Sequence, residues 1–299
     1  MKKIISMVLV LVMCLSFAAC AKQEAGAKCS ACGGKLDTDG EYCSACEATV
    51  ETEPVDTTPK EPADLTGKTI IWNGDSICAG KQETGNWATR IAERNSMTFQ
   101  NYAVGGGTVA TGLPLTSSGN ERHSVFSSLD RMYKAYPDAD YIIFEGGSND
   151  ADLLGYAVSG TEKHKLGEID PKDFSGNYDM TTFCGALECV FYRAKEMWPD
   201  KKIGFIVAQK MGDPTNRTYE NRRFYFDKAI EVCEKWDIPY IDLWNDSELD
   251  PANPAMYDST KTADQNMMEN TGYYLDGQHL TALGYDVTTE LIEAWLKTI

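Results

Sequence analysis

The sequence predicts an α/β fold, a three-layer α/β/α sandwich built on a five-stranded, mostly parallel sheet. Three observations predict it. Five short apolar runs rich in β-branched residues alternate with segments of helical spacing. The runs are apolar enough to be buried on both faces, as strands in a parallel sheet are. Glycine-bearing polar turns follow three of them, at the carboxyl ends where such sheets bind ligands.

In chain order, Lys68–Asn73 is the first strand and ends in a turn. Trp87–Glu93 has helical spacing. Phe99–Val104 reads as a strand running into Gly105-Gly106-Gly107, and Val125–Tyr136 as a helix closed by Pro137. Tyr141–Glu145 is a buried strand ending in Gly146-Gly147. Thr182–Met197 is a helix closed by Pro199, Lys202–Ala208 a strand, Arg222–Trp236 a helix and Tyr240–Leu243 a short strand. Thr281 is placed to cap a last helix running to the C-terminus.

The chain has 299 residues, 42% hydrophobic and 24% charged, which fits a folded domain and excludes wholesale disorder. Its formal charge of −17 repels polyanions, so no nucleic-acid partner is expected. Six of the ten cysteines lie before residue 47, so the chain has a cysteine-rich head and an ordinary body.

The head begins with an address. Lys2 and Lys3 precede an uncharged, largely apolar run to Ala19, and Cys20 follows Ala18-Ala19. Residues 1–20 resemble a bacterial lipoprotein signal, with Phe17 where the lipobox usually has Leu. That resemblance implies export, lipidation of Cys20 and tethering on the extracellular side of the cell membrane; plain secretion is the alternative. Cys29-Ser-Ala-Cys32 and Cys43-Ser-Ala-Cys46, within residues 27–47, can place four thiolates around one Zn²⁺, while two disulfides are the alternative. The segment resembles a zinc ribbon, and the expected zinc is structural. Residues 48–66, rich in Glu, Thr and Pro, read as a linker. The catalytic body is expected at 67–299.

Within the body, Asn73-Gly74-Asp75-Ser76 places a serine hydroxyl just past a strand, by a turn with free N–H groups. Asp276-Gly277-Gln278-His279 lets a carboxylate reach an imidazole; a carboxylate on Nδ1–H leaves Nε2 as a base. His123 and His164 lie in polar stretches and are expected to be solvated. Gly105-Gly106-Gly107 offers backbone N–H groups without side chains in the way, and Asn149 in Gly147-Ser148-Asn149-Asp150 offers an amide donor.

These four pieces, in this order, resemble the blocks of the SGNH (GDSL) hydrolase family over residues 67–299. The resemblance implies the family's flavodoxin-like fold and a catalytic Ser76, Asp276 and His279. It implies an oxyanion hole from Ser76, Gly106 and Asn149. Gly106 is placed by counting from Asn101, with Gly105 next in line. Cys78 and a long connection at 151–178, able to cover a site, depart from the family's usual pattern.

The implied activity is that of an exported serine esterase on carboxylic esters, with small acyl groups such as acetyl on carbohydrates or small molecules as substrates. It needs no catalytic cofactor. Lipase, thioesterase and transacylase activities suit the same scaffold, and a non-catalytic glycan-binding lipoprotein is the non-enzymatic alternative. Trp244, Tyr273 and Tyr274, in expected loops near the carboxyl edge, either stack on sugar rings or pack beneath those loops. Cys184 and Cys189, five apart on one helix, are not expected to pair.

Overall fold

The computed structural model describes residues 62–113, 122–156 and 166–299. Residues Lys60–Ile299 form one compact unit, and every described residue belongs to it. The signal, the four cysteines of the knuckle and most of the linker lie outside the described residues.

Strands β1 (Thr69–Asn73), β2 (Thr98–Asn101), β3 (Tyr141–Glu145), β4 (Lys202–Val207) and β5 (Tyr240–Asp242) form one sheet in the order β2-β1-β3-β4-β5. All four pairings are parallel. The chain leaves β1 for β2 on one side, then returns to lay β3 on the other. Right-handed crossovers in opposite directions leave a crevice at the carboxyl ends of β1 and β3. The two turns that follow these strands carry Ser76 and Asn149.

Alternation along the strands sends side chains to two helical layers. Trp72, Ile143 and Gly204 form one row across the sheet. Trp295 of the C-terminal helix α9 (Ala282–Leu296) covers Gly204, where an added Cβ would lie 2.6 Å from its ring. One residue along, Phe144 and Phe205 turn to the other face and meet Phe191 of α5 (Phe183–Met197), with ring centroids 6.4 and 6.0 Å apart. Both faces are therefore dry, as the continuous apolar runs require.

The element boundaries differ from the sequence reading where side chains intervene. The second strand stops at Asn101, whose Oδ1 accepts from Ala103 N and whose Nδ2 donates to the Cys78 carbonyl. The expected helix over 125–136 splits into a 3₁₀ turn (Phe126–Ser128) and α3 (Leu129–Ala135). Helix α6 (Arg217–Lys235) begins five residues early, because Asn216 accepts from Thr218 N and caps it. Helix α4 (Ser148–Tyr156) starts inside what reads as a polar turn. The first strand is followed by the one-turn α1 (Ser76–Ala79), and Trp87–Asn95 is α2. Further along come α7 (Leu243–Asp246) and α8 (Ala263–Glu269), the latter opened by a Thr262–Gln265 capping box. Thr281 caps α9 as expected, accepting from Gly284 N.

Trp244 and Tyr274 are core residues, 3% and 0% exposed, so they pack beneath the loops and present no face to a sugar. The connection after Asn149 begins with α4, and its described remainder starts at Leu166. Phe174 and Tyr178 set their rings 5.1 Å from Lys235 Nζ at the end of α6, which enters β5 from the amino edge. Lys235 is itself buried in an ion pair with Glu188. Phe174 and Tyr178 thus tie part of this stretch to the amino end of the sheet, while at its two ends the Leu166 and Met180 carbonyls accept from Cys184 N and Thr111 N. Cys78, Cys184, Cys189 and Cys233 are buried free thiols.

Candidate active site

The turn after β1 is built around Asp75. Its carboxylate caps α1, accepting from Ile77 N at 2.7 Å, so Ser76 stands at the first position of that short helix. Gly74 precedes it because no side chain fits: a Cβ there would lie 2.6 Å from Glu145 Oε2. That same oxygen accepts from Asp75 N at 3.0 Å. The side chain of β3's last residue therefore supports the turn that carries the serine.

His279 approaches from the other end of the chain. Asp276 Oδ1 accepts from the backbone N–H groups of Gln278 and His279 at 3.1 and 2.8 Å, and Gly277 takes φ +76° to close the turn. Leu275 N donates to the His279 carbonyl. Asp276 Oδ2 then lies 2.9 Å from His279 Nδ1, and His279 Nε2 lies 2.9 Å from Ser76 Oγ. A carboxylate accepts only, which assigns the proton to Nδ1 and leaves Nε2 to accept from the serine hydroxyl. Burial pushes the Asp276 carboxyl up, but hydrogen bonds from the His279 ring and the turn's N–H groups outweigh it and hold it at about 2.

Three groups that can donate to an oxyanion flank this line: the N–H groups of Ser76 and Gly106, and the Asn149 amide. Among the described residues, no acceptor takes the backbone N–H of Ser76 or Gly106. Gly105 passes nearest the serine, where an added Cβ would stand 3.9 Å from Ser76 Cβ. Gly106 adopts φ +73°, and its carbonyl accepts from Arg122 Nη1 at 2.7 Å. Asn149 projects from the start of α4; its Nδ2 donates to the Gly107 carbonyl at 2.9 Å and to Asp75 Oδ2 at 3.2 Å. Asn149 thus bridges the glycine loop and the serine turn.

Behind these groups lie three buried carboxyls. Burial pushes Asp75 up against hydrogen bonds from Ser148 Oγ and Ile77 N. Burial, then the neighbouring Asp75 charge, pushes Glu145 well above the ordinary carboxylate range, and its Oε1 has no partner among the described residues. Asp150 accepts from Val109 N and Ala110 N at 2.9 and 2.8 Å, while burial raises it to about 7. It anchors the chain just beyond the glycine loop.

A second brace joins the helix of Asn149 to the turn of His279. Arg222, with its side chain 7% exposed, grips Asp152 through Nε and Nη2 at 3.0 and 2.7 Å. The same Nη2 donates to Gln278 Oε1 at 2.9 Å, and Gln209 Nε2 holds the Gln278 carbonyl. Arg222 is buried while Asp152 keeps some contact with water, so loss of the aspartate would strand a buried guanidinium and loss of the arginine a partly solvated carboxylate and the Gln278 amide. Arg222→Gln is expected to lower stability by about 3 kcal/mol in urea unfolding, with Arg222→Lys intermediate because it keeps the charge and loses the fork.

The structure brings together Ser76, His279, Asp276, Asn149 and the Gly105–Gly107 loop. His123 is half-buried rather than solvated; burial, then Arg131, pushes it down, and its ring lies 3.4 Å from the hydroxyls of Ser127 and Ser128. His164, Cys20, Cys29, Cys32, Cys43 and Cys46 lie outside the described residues. Among the described residues, no cluster of three or more His, Cys, Asp or Glu side chains could hold a metal. Arg222, Asp152, Arg122 and Glu145 escape the sequence reading, since their partners stand 16 to 70 positions away.

A family model, GDSL-like Lipase/Acylhydrolase, matches residues 73–287. No curated protein matches the chain. One solved structure superposes with a TM-score of 0.57 at 22% identity, covering 79% of this chain and 99% of its own. A protein from Lactobacillus plantarum gives 0.55 at 21%, covering 78% and 98%. The lipase/acylhydrolase from Enterococcus faecalis gives 0.46 at 17%, covering 77% and 96%. At such identities the likeness to the first two is one of fold.

Proposed function

The chain belongs to the GDSL-like lipase/acylhydrolase family, and from that premise we propose that it is an exported serine esterase. Its substrates are carboxylic esters bearing small acyl groups, acetyl above all, on carbohydrates or small molecules. The observation that carries this reading is the unbroken line from Asp276 through His279 to Ser76, with 2.9 Å at each step.

Ser76 Oγ attacks the ester carbonyl while its proton passes to His279 Nε2. Asp276 holds the ring in the productive tautomer and stabilises the imidazolium. The oxyanion of the tetrahedral intermediate takes hydrogen bonds from the N–H groups of Ser76 and Gly106, and from Asn149 Nδ2 once that amide turns one N–H away from its longer bond to Asp75 Oδ2. His279 returns the proton to the leaving alcohol, and the acyl group stays on Ser76. Water, deprotonated by His279, then attacks the acyl-enzyme, releases the acid and restores the hydroxyl.

The reading extends to the head of the chain. Cys20 carries the lipid that anchors the protein outside the cell, and residues 48–66 space the enzyme from the membrane. Cys29, Cys32, Cys43 and Cys46 hold a structural zinc. The full chain is expected to carry about one zinc, and Cys29→Ser with Cys32→Ser to lose it, as read by elemental analysis. Metal-free protein in which these cysteines are paired as disulfides would replace the zinc with two staples.

The enzymatic reading is tested with p-nitrophenyl esters from acetate to octanoate. Acetate is expected to be hydrolysed fastest, and rates should fall with chain length. Faster octanoate hydrolysis would move the acyl site toward lipids.

A further inference from the structure

A groove of about 520 Å³ lies at the carboxyl edge of the sheet, between the 212–215 loop, the segment carrying Tyr257 and Ser259, and the turn of Asp276 and Gly277. It shares Asp276 with the proposed triad, so it lies one imidazole ring and two hydrogen bonds away from Ser76 Oγ. We propose that this groove is a subsite for a neutral sugar ring, on the alcohol side of an ester held at Ser76. The assignment rests on the esterase reading above for the position of the ester, but not for the binding itself.

The lining selects the ligand class. Asp213 and Asp276 contribute carboxylates, and Thr215, Tyr257 and Ser259 contribute hydroxyls. Among the described residues, no Lys, Arg or His lines the groove. Asp213 Oδ1 accepts from Thr215 N and Thr215 Oγ1 at 2.8 and 2.7 Å. Those bonds hold its carboxyl below the usual range, so it is anionic at neutral pH. Two carboxylates with no cation among the described lining residues repel carboxylated and phosphorylated groups, while Pro214, Pro251 and Ala252 add apolar surface beside them. Burying alkyl carbon against two carboxylates strips them of water without replacing its hydrogen bonds. The hydroxyls of a neutral sugar donate, and so satisfy both conditions.

Tyr257 supplies the apolar face. Its ring abuts the backbone of Gly277, where an added Cβ would stand 3.1 Å from Cε1. Its other neighbour is Tyr274, at 6.3 Å and 69°. Tyr274 is fully buried and donates to the Lys210 carbonyl, so the ring backing Tyr257 is fixed. Tyr257 remains partly exposed and forms a pre-set platform for the C–H face of a pyranose. Trp244 and Tyr274 take the packing alternative of the sequence reading, and the aromatic ring at the groove is that of Tyr257.

The test separates binding from catalysis. Calorimetry with the Ser76→Ala protein should detect cellotriose, and adding Tyr257→Ala should weaken it about tenfold. A trisaccharide of uronic acids should bind at least tenfold more weakly than cellotriose, and Asp213→Asn should narrow that gap. In the active enzyme, Tyr257→Ala should raise KM for monoacetylated cellotriose, whose other hydroxyls stay free to donate, about tenfold relative to KM for p-nitrophenyl acetate. Equal binding of neutral and acidic trisaccharides would overturn the proposal, as would cellotriose affinity indifferent to both Tyr257→Ala and Asp213→Asn. Cellotriose binding that needs Tyr257, in a protein with no activity on any ester, would overturn the esterase reading and leave the groove assignment standing.

Discussion

Ser76→Ala is expected to lower kcat for p-nitrophenyl acetate by roughly four to six orders of magnitude, equivalent to about 5–8 kcal/mol of barrier. The size follows from what the hydroxyl does. It forms the bond to the acyl carbon, and no other group in the site can replace it. Cys78, two residues along, is the nearest thiol in sequence, but burial, then the Glu145 and Asp75 charges, pushes it well above the ordinary thiol range. A thiol held protonated is a poor nucleophile. The substitution removes one hydrogen bond, at 2.9 Å to His279, from a half-buried position. Thermal unfolding should therefore move little, so lost activity reads as lost chemistry. A variant that keeps a tenth of the wild-type rate would mean that water is activated without a serine nucleophile.

Asp276→Asn should cost about 10⁴-fold in kcat, with KM little changed. The aspartate accepts at both oxygens, from two backbone N–H groups and from His279 Nδ1–H. An amide retains one accepting oxygen. If that oxygen keeps the backbone N–H groups, the amide NH₂ faces Nδ1 and draws the ring into the tautomer with its proton on Nε2. The ring then donates toward Ser76 and cannot take its proton. The same change alters stability against pH. The carboxyl is held at about 2 against 3.8 in a free chain. Its contribution is fully present above pH 3.8 and is lost as pH falls through about 2. With the side chain 41% exposed, screening reduces that contribution to about 1 kcal/mol. Wild type and Asp276→Asn should accordingly differ in urea unfolding at pH 6 and converge near pH 2. An acid limb in the wild-type rate above pH 4 does not come from Asp276.

Much of this architecture is legible in sequence because it is local. Ile70–Ile71, Ile142–Ile143 and Ile206–Val207 mark strands by composition alone, and Asp276 and His279 meet across a turn of fixed length. The serine, the glycine loop and Asn149 are each short motifs placed just after strands. Helix α4 was not legible, because Gly147-Ser148-Asn149-Asp150 has the composition of a turn, whereas here Asp150 faces inward to hold Val109 and Ala110. The braces were not legible either. Arg222 meets Asp152 across 70 positions and Gln278 across 56, and no period or spacing in a single chain records such pairs. Glu145 reads as the polar end of a strand; only the packed turn reveals that it supports Asp75 and excludes a side chain at position 74.

The most direct test of the account is to trap the acyl-enzyme. The protein would be mixed with p-nitrophenyl acetate, quenched in acid within milliseconds and digested for mass spectrometry. The account predicts a burst of p-nitrophenol and an acetyl group on the peptide containing Ser76, absent from Ser76→Ala. Acetyl transferred during turnover to another residue, with the rate unchanged in Ser76→Ala, would contradict it.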